Sequence, residues 1–503
     1  MWPALAAQEP PPPAAGPAPA NPTEVALAPR RLERLTLEDA IRRALEKNYV
    51  IRIAGLDAAS TAADVTTALG KFDPVLNASY TKRETEDPQL ADPLTGIRPP
   101  ATLNESDEYE LTLNGLMPWG LTYSLGASTT NSRGTFNLFS DHYSTFAGVS
   151  GRQPLLRDFG FGPTLASIRI AQTNRSISDW QFRQSVIDTV TRVIFAYNEL
   201  NLAKGSLRSS LRTRELAAQL LAQNEIRFRV GDSSEADVTT ARARLAVREE
   251  SILANERRVR DAENFLKQLI SDERAPSVLD FGFDIEPPAA PPAIVADAAT
   301  DFHIALEKRP DYQQAKLALK RAEIGHRLAR NQLLPSVDLI GSYGYAGEDR
   351  DFYTSRRIVR AEDNRAYSYG VAVSIPLTSA AERGRYRAAK LDRRQAELNL
   401  ERIEQDIVIR LGNAAGQIET ARKRVETTRY ARELAQLTLD AEEKKLRAGQ
   451  GTTFFVSNEQ SNLNQAELAE LRAQTDYLNA LATYDQQMGL TLEKLGIGIE
   501  PPR

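Results

Sequence analysis

The sequence predicts a mixed α and β fold that is internally duplicated: two long α-helical hairpins, each preceded by alternating strands. Three observations carry this. The stretch Pro163–Ile270 reads as a long helix, a glycine turn and a returning helix. On the returning arm Val238, Leu245, Ile252, Val259 and Leu266 fall every seven residues, so the arm wraps left-handedly around a neighbour. The pattern then recurs. Arg229-Val230-Gly231 aligns with Arg447-Ala448-Gly449, and at the same offset Val238 maps to Val456, Leu245 to Leu463, Val259 to Tyr477 and Leu266 to Tyr484; Ile252 alone lands on a charge, Glu470.

A second set of anchors lies upstream. Ala44-Leu45-Glu46-Lys47 recurs as Ala305-Leu306-Glu307-Lys308, and Pro74 as Pro335. Their offset exceeds that of the hairpin tips, so the first copy carries an insertion of roughly 40 residues. The division that follows is a Pro/Ala-rich tail over 1–34, a first repeat over 35–271, a Pro-rich linker over 272–298, a second repeat over 299–490 and a short tail over 491–503.

The elements follow in order. Residues 1–30, with Pro10 to Pro13 consecutive, form neither helix nor sheet. Leu5-Ala6-Ala7-Gln8 resembles the end of a signal peptide, without the basic and apolar regions that precede one. Thr36 opens a helix with Glu38 and Asp39 in its first turn, and the apolar spacing carries it to about Gly70. From 75 to 153 the period changes to two. Strands are expected over 75–83, 107–116, 120–130 and 143–152, with a long proline-bearing loop between the first two and a short turn at Pro118-Trp119-Gly120. Long loop, short turn, long loop is the rhythm of an outer-membrane barrel. The hairpin 165–270 follows, its first arm about 100 Å long if unbroken. Gly231 suits a left-handed cap, and Asp232 or the serines after it can cap the return helix. The second copy repeats the plan: a helix over about 299–332, strands over 336–345 and 366–375 around a charged loop, and a hairpin over about 382–489.

Composition narrows the function. A net charge of −4 gives no electrostatic reason to expect nucleic acid. The chain has no cysteine, which rules out disulfides, thiol catalysis and Cys-based zinc sites. His142, His303 and His326 are scattered, and no P-loop, GxSxG or HExxH is present, so neither an enzyme nor a cofactor or metal site is expected. No apolar run reaches the length of a transmembrane helix. Barrel strands leave no such peak.

The plan resembles the TolC-like outer-membrane efflux family over about residues 35–490. The carriers are the duplicated organisation, Leu35-Thr36-Leu37-Glu38-Asp39-Ala40-Ile41, Gln153-Pro154-Leu155-Leu156-Arg157, and Arg229-Val230-Gly231 with Asp237-Val238. The resemblance implies a homotrimer in the outer membrane of a Gram-negative bacterium. Strands of three chains would complete one transmembrane β-barrel in lipid, and the hairpins would form a periplasmic α-barrel. The tips would meet a periplasmic adaptor (membrane fusion) protein coupled to an inner-membrane transporter, making the chain the exit duct of a tripartite efflux or type I secretion system. The tip residues so implied are Arg229, Gly231, Asp237, Val238, Arg447 and Gly449. Trp119, Tyr343, Tyr345, Tyr367 and Tyr369 are expected at the membrane interface, with ordinary strand packing as the alternative.

At the periplasmic aperture the sequence departs from the best-known members, which place aspartates a few residues after the second tip glycine. Here those positions hold Phe455 and Asn458, with Phe454 beside them and Glu459 the nearest acid. A ring of Phe455 would close the pore by dewetting. In the alternative, both phenylalanines pack between helices and Asn458 or Glu459 faces the axis. The added segment in the first copy raises the expected strands per chain from four to six, hence an eighteen-stranded trimer if the extra hairpin enters the wall and twelve if it does not. A rival of another class is a soluble or periplasmic coiled-coil scaffold without a pore, which leaves the alternating segments unexplained.

Overall fold

The computed structural model describes residues 31–231, 233–287, 297–448 and 450–500. The proline tail, Asp232 and Gly449 lie outside these residues, as does most of the linker's proline run.

The chain opens with β1 (Arg31–Leu35), α1 (Leu37–Lys47) and α2 (Tyr49–Leu69). Thr36 caps α1 by accepting from the Asp39 amide, as its position predicts. The single helix expected to Gly70 is two. Asn48 leaves helical geometry at ψ 126° and its carboxamide oxygen takes the amides of Val50 and Ile51, ending one helix and starting the next. Four strands follow: β2 (Val75–Asp87), β3 (Thr102–Leu116), β4 (Thr122–Gly134) and β5 (Tyr143–Pro154). A single turn, α3 (Phe161–Thr164), leads into α4 (Ala166–Arg229) and α5 (Glu235–Ile270). At 64 residues, α4 spans about 96 Å without a break.

Next come β6 (Phe281–Ile285), α6 (Ala298–Lys308), α7 (Pro310–Asn331), β7 (Ser336–Asp349), α8 (Phe352–Arg360), β8 (Arg365–Ser374), α9 (Ala380–Arg447), α10 (Thr453–Met488) and α11 (Thr491–Lys494). Three expectations change here. The helix expected over 299–332 breaks before Pro310, whose ring favours extended backbone at Arg309. The charged loop contains a helix, α8, because Asp351 caps it and Phe352, Ser355, Ile358 and Val359 give it one packing face. The segments read as tail and linker each hold a strand. β1 pairs in parallel with β6, in register from Arg31 with Phe281 to Leu35 with Ile285, and Leu35 and Phe283 are buried.

The helices form a curved wall two tiers high. In the tier next to the sheet, α2, α4, α7 and α9 pack side by side; in the far tier the order is α5, α4, α10, α9. Only α4 and α9 run through both. A belt of α1, α6, β1, β6 and α11 surrounds the junction, and Tyr197 of α4 donates to the Glu286 carbonyl there at 2.7 Å. The duplication is visible in the packing. Val193, Ala196 and Leu200 of α4 are buried, and so are Leu411, Ala414 and Ile418 at the matching positions of α9. Each large aliphatic buried this way contributes about 1.5–3 kcal/mol. The exception in the heptad also has its reason. Glu470 forms an ion pair with Arg432 of α9 at 2.6 Å, so charge pairing fills that place in the seam.

One antiparallel sheet carries six strands, in the order β2-β3-β4-β5-β7-β8. β2, β5, β7 and β8 each lead into or out of a wall helix. β3 and β4 do not: they form a hairpin closed by Met117–Leu121, with the Met117 amide on the Leu121 carbonyl at 2.7 Å. Gly120 makes this turn at φ +98°, where a Cβ would lie 2.8 Å from the Asp158 carbonyl, so a side chain is excluded twice over. The insertion in the first copy is therefore an extra hairpin within the sheet.

Candidate functional site

The sheet has two chemically distinct faces because strand side chains alternate. Leu76, Leu113, Leu125, Val149, Tyr343 and Tyr367 stand in one row across all six strands. The next row on that face holds Ala78, Leu111, Ala127, Ala147 and Tyr345. On the other face the row Asn77, Thr112, Gly126, Gly148, Gly344 and Ala366 is small or polar, and its neighbour runs Ser79, Glu110, Ser128, Phe146 and Ala346, with the Phe146 ring lying over the space that Gly148 and Gly344 leave. An apolar outside and a polar inside describe a barrel wall between lipid and water.

Tyr343, Tyr345, Tyr367 and Tyr369 all fall on the apolar face. The Tyr345 hydroxyl donates to Glu362 at 2.9 Å, beyond the strands. Trp119 lies in the β3–β4 turn at the helical end of the sheet, its carbonyl accepting from the Gly160 amide at 3.1 Å. Tyr109 and Tyr123, which the alternation in the sequence already sets with the leucines, share the apolar face, as does Tyr80, which sequence reasoning missed; Tyr80 and Tyr109 stack at 4.8 Å. The alternation of Tyr80 with polar residues was the available signal.

About 100 Å away, by the length of α4, are the hairpin tips. Gly231 turns the chain at φ +85° in open space, as its place after the helix predicts. Ser234 then caps α5: its hydroxyl accepts the Asp237 amide, and the Asp237 carboxylate accepts the Ser234 amide at 3.1 Å and hydroxyl at 2.7 Å. Hydrogen bonding from Ser234 holds the Asp237 carboxyl below the usual carboxylate range. Val238 is buried in the hairpin and Arg229 is exposed. At the second tip Arg447 is exposed and reaches Glu443 at 3.1 Å. The two tips thus bring Arg229 and Gly231, or Arg447, to the surface; Asp237 is exposed as well but spends its carboxylate on the turn, and Val238 is buried in it.

Phe454, Phe455, Asn458 and Glu459, expected at the aperture, lie on the first turns of α10 and separate by face. Phe454 lines the groove between the two hairpins together with Asn458, and the Arg244 guanidinium sits 5.2 Å over its ring. Val456 is buried against Leu439 of α9. Phe455 lies outside the groove, its ring edge-on to that of Phe454 at 5.7 Å. It is about half exposed and shares its helix face with Glu459, four residues on, which in turn accepts from Asn462 at 3.1 Å.

A two-faced antiparallel sheet carried on a wall of helices this long defines the wall segment of a membrane duct. The comparisons agree. The model of the family described as outer membrane efflux protein matches residues 107–271 and 302–490, and the chain belongs to that family. It is 24% identical over 360 residues to outer membrane efflux protein BepC of Brucella suis, covering 70% of this chain and 74% of that one. Its fold is that of the CmeC outer membrane channel of Campylobacter jejuni (TM-score 0.66, 16% identity, 90% and 86% of the two chains). It is equally that of the outer membrane protein VceC of Vibrio cholerae (TM-score 0.65, 15% identity, 90% and 96%). The chain is an outer-membrane channel of the TolC efflux and secretion type that extends into the periplasm, a conduit and not an enzyme. The poreless scaffold is thereby set aside.

Proposed function

We propose that three copies of this chain close into one duct, the exit of a tripartite efflux or type I secretion system. The observation that carries the trimer is the pair of open edges. β2 and β8 end the sheet with one side unpaired. Backbone groups left unpaired in lipid cost several kcal/mol each, so the edges must join those of other copies. The helices carry the same demand: α9 leaves Leu391, Leu398, Val408, Ile409 and Leu437 exposed, and α2 leaves Ile53 and Leu56 exposed, at the two sides of the wall. A neighbouring copy covers such stripes.

With six strands from each chain the closed barrel has eighteen. Barrel diameter grows roughly linearly with strand number, so the pore is about half as wide again as one of twelve strands. Twelve strands continue into helices and six end at the β3–β4 turns. The exposed tips around Arg229, Gly231 and Arg447, with Gly449 next in sequence to the second, dock a periplasmic adaptor protein, which links the duct to an inner-membrane transporter. Asp237 and Val238 hold the first tip in shape for that contact. Phe455 narrows the entrance.

Crosslinking in mild detergent followed by cryo-electron microscopy tests the assembly. Three chains and residues 107–130 inside the wall are expected. A monodisperse monomer would refute the trimer. A trimer with that hairpin outside the wall would refute the eighteen-stranded barrel alone.

A further inference from the structure

We propose that α8 is an interfacial helix which binds the phosphate groups of lipids in the outer leaflet, on the outside of the barrel. This rests on the outer-membrane placement and not on the number of strands.

The position of α8 is set by three contacts with the sheet. The Phe352 ring meets the Tyr143 ring at 5.7 Å. The Ser355 hydroxyl lies 3.0 Å from that of Thr145. A Cβ on Gly347 would meet the Ser355 carbonyl and the side chains of Ile358 and Val359. Tyr143 and Thr145 alternate in phase with Val149, and Gly347 with Tyr343 and Tyr345. The helix therefore lies on the apolar, lipid-facing side of the wall and not in the lumen.

Its height is set by what it covers. Above the rows of leucine, alanine and tyrosine, the same face turns polar at Thr129, Asn131 and Thr145, all buried. Thr129 and Thr145 bond to each other at 3.1 Å and Thr145 passes the chain to Ser355. Hydroxyls facing lipid tails would be unpaired. They mark the upper limit of the hydrocarbon, and α8 covers Thr145 through Ser355 at the end of the sheet remote from the helices. That is the level of the lipid head groups.

The exposed side of α8 suits that level. Phe352, Ser355, Ile358 and Val359 face the wall, while Tyr353, Arg356, Arg357 and Arg360 face outward. Tyr353 is 76% exposed, an aromatic of the kind found at membrane interfaces. Of the acids in this segment, three are engaged elsewhere, Asp349 by the Asp351 amide at 2.9 Å. Asp351 caps the helix through the Thr354 amide at 2.9 Å, and Glu362 takes the Tyr345 hydroxyl. None of the three arginines forms an ion pair among the described residues. Arg356 lies with its guanidinium 5.3 Å over the Phe352 ring, which leaves its N–H edges outward, and with Arg357 and Arg360 it presents three forks suited to phosphate oxygens within one and a half turns. Favourable placement near the negative end of the helix dipole is the plain alternative for Arg357 and Arg360. It does not require the aromatic beside them or the seat on the lipid side.

The test uses the purified full-length channel in detergent, with bisphosphorylated lipid A as probe and native mass spectrometry as readout. Dephosphorylated lipid A and inorganic phosphate serve as comparators. The triple variant Arg356→Gln, Arg357→Gln, Arg360→Gln should lose bound lipid A by about tenfold or more. The matching triple Lys variant should retain an intermediate amount, since it keeps charge and loses the forks. Channel conductance of both variants should equal that of the parent, which separates this proposal from the duct itself. Undiminished lipid A binding in the Gln variant would overturn the proposal, as would equal binding of the dephosphorylated lipid. Displacement of lipid A by millimolar inorganic phosphate would overturn the lipid assignment and leave a simple anion site.

Discussion

Phe455→Ala raises the resting conductance of the channel in planar bilayers severalfold, by the reading of the entrance given above. The residue stands on the first turn of α10 with about half its surface exposed. Of its neighbours in sequence, Val456 is buried against Leu439, and Phe454, as exposed as Phe455 itself, lies along the inter-hairpin groove beside Arg244. Adjacent helical residues point about 100° apart, so the three cannot share a direction. Brought together around a threefold axis, three Phe455 rings make an apolar constriction that excludes water and hence ions without binding either. Removing the rings restores a continuous water column. Divalent cations should block the parent channel only weakly, because the ring at Phe455 carries no carboxylate and Glu459, one turn on along the same face, is tied up by Asn458 and Asn462. Unchanged conductance in the variant rules out the apolar gate, and so does strong divalent block in the parent. Phe454→Ala is the control: it opens a groove between hairpins and should leave resting conductance near that of the parent.

The second large effect belongs to the tips. Gly231→Trp should reduce export by an order of magnitude or more while the assembled channel persists. At φ +85° an L-residue costs about 1–2 kcal/mol, a modest strain for one turn of a long hairpin. Nothing lies within 4 Å of the Cβ position, so the indole projects outward into the docking surface instead of into the fold. Gly231→Asn should retain most export, because asparagine tolerates the left-handed conformation and adds little bulk. Gly449→Trp is expected to behave as Gly231→Trp does, since Gly449 aligns with Gly231 in the duplication. The readouts are substrate retention in cells and the molecular mass of the detergent-solubilised channel. Normal export from either Trp variant would contradict docking at that tip; loss of the assembled channel would show that the turn is needed for folding.

Much of this molecule is written in its periodicities. The seven-residue spacing of Val238, Leu245 and their successors, the glycine after Arg229-Val230, the cap at Thr36 and the alternation of Leu121 to Ala127 each settle the kind and place of an element, while its ends move: the strands expected over 107–116 and 120–130 run Thr102–Leu116 and Thr122–Gly134. They do so because side-chain direction follows from backbone geometry, every 3.6 residues in a helix and every two in a strand. Self-similarity at the tips likewise establishes two copies without any structure. Local signals also existed where the reading went past them: Asn48 and Pro310 each break a helix through their own side chains, and Asp351 opens α8 inside a loop that looked merely charged.

What the tertiary structure alone decided are relations between segments far apart. Arg31–Leu35 and Phe281–Ile285 are unremarkable strands until they pair across the whole first repeat. The alternation in 107–130 fits a hairpin inside or outside a wall equally well; only the register of β3 on β2 and of β4 on β5 places it within the sheet. Phe454 and Phe455 are equivalent as letters, and the groove that takes one and leaves the other is built by helices of the other repeat. The seat of α8 on the lipid side depends on which face of β5 and β7 lies under it. A period names a face but not the partner that covers it, and the partner is chosen by packing among all the segments at once.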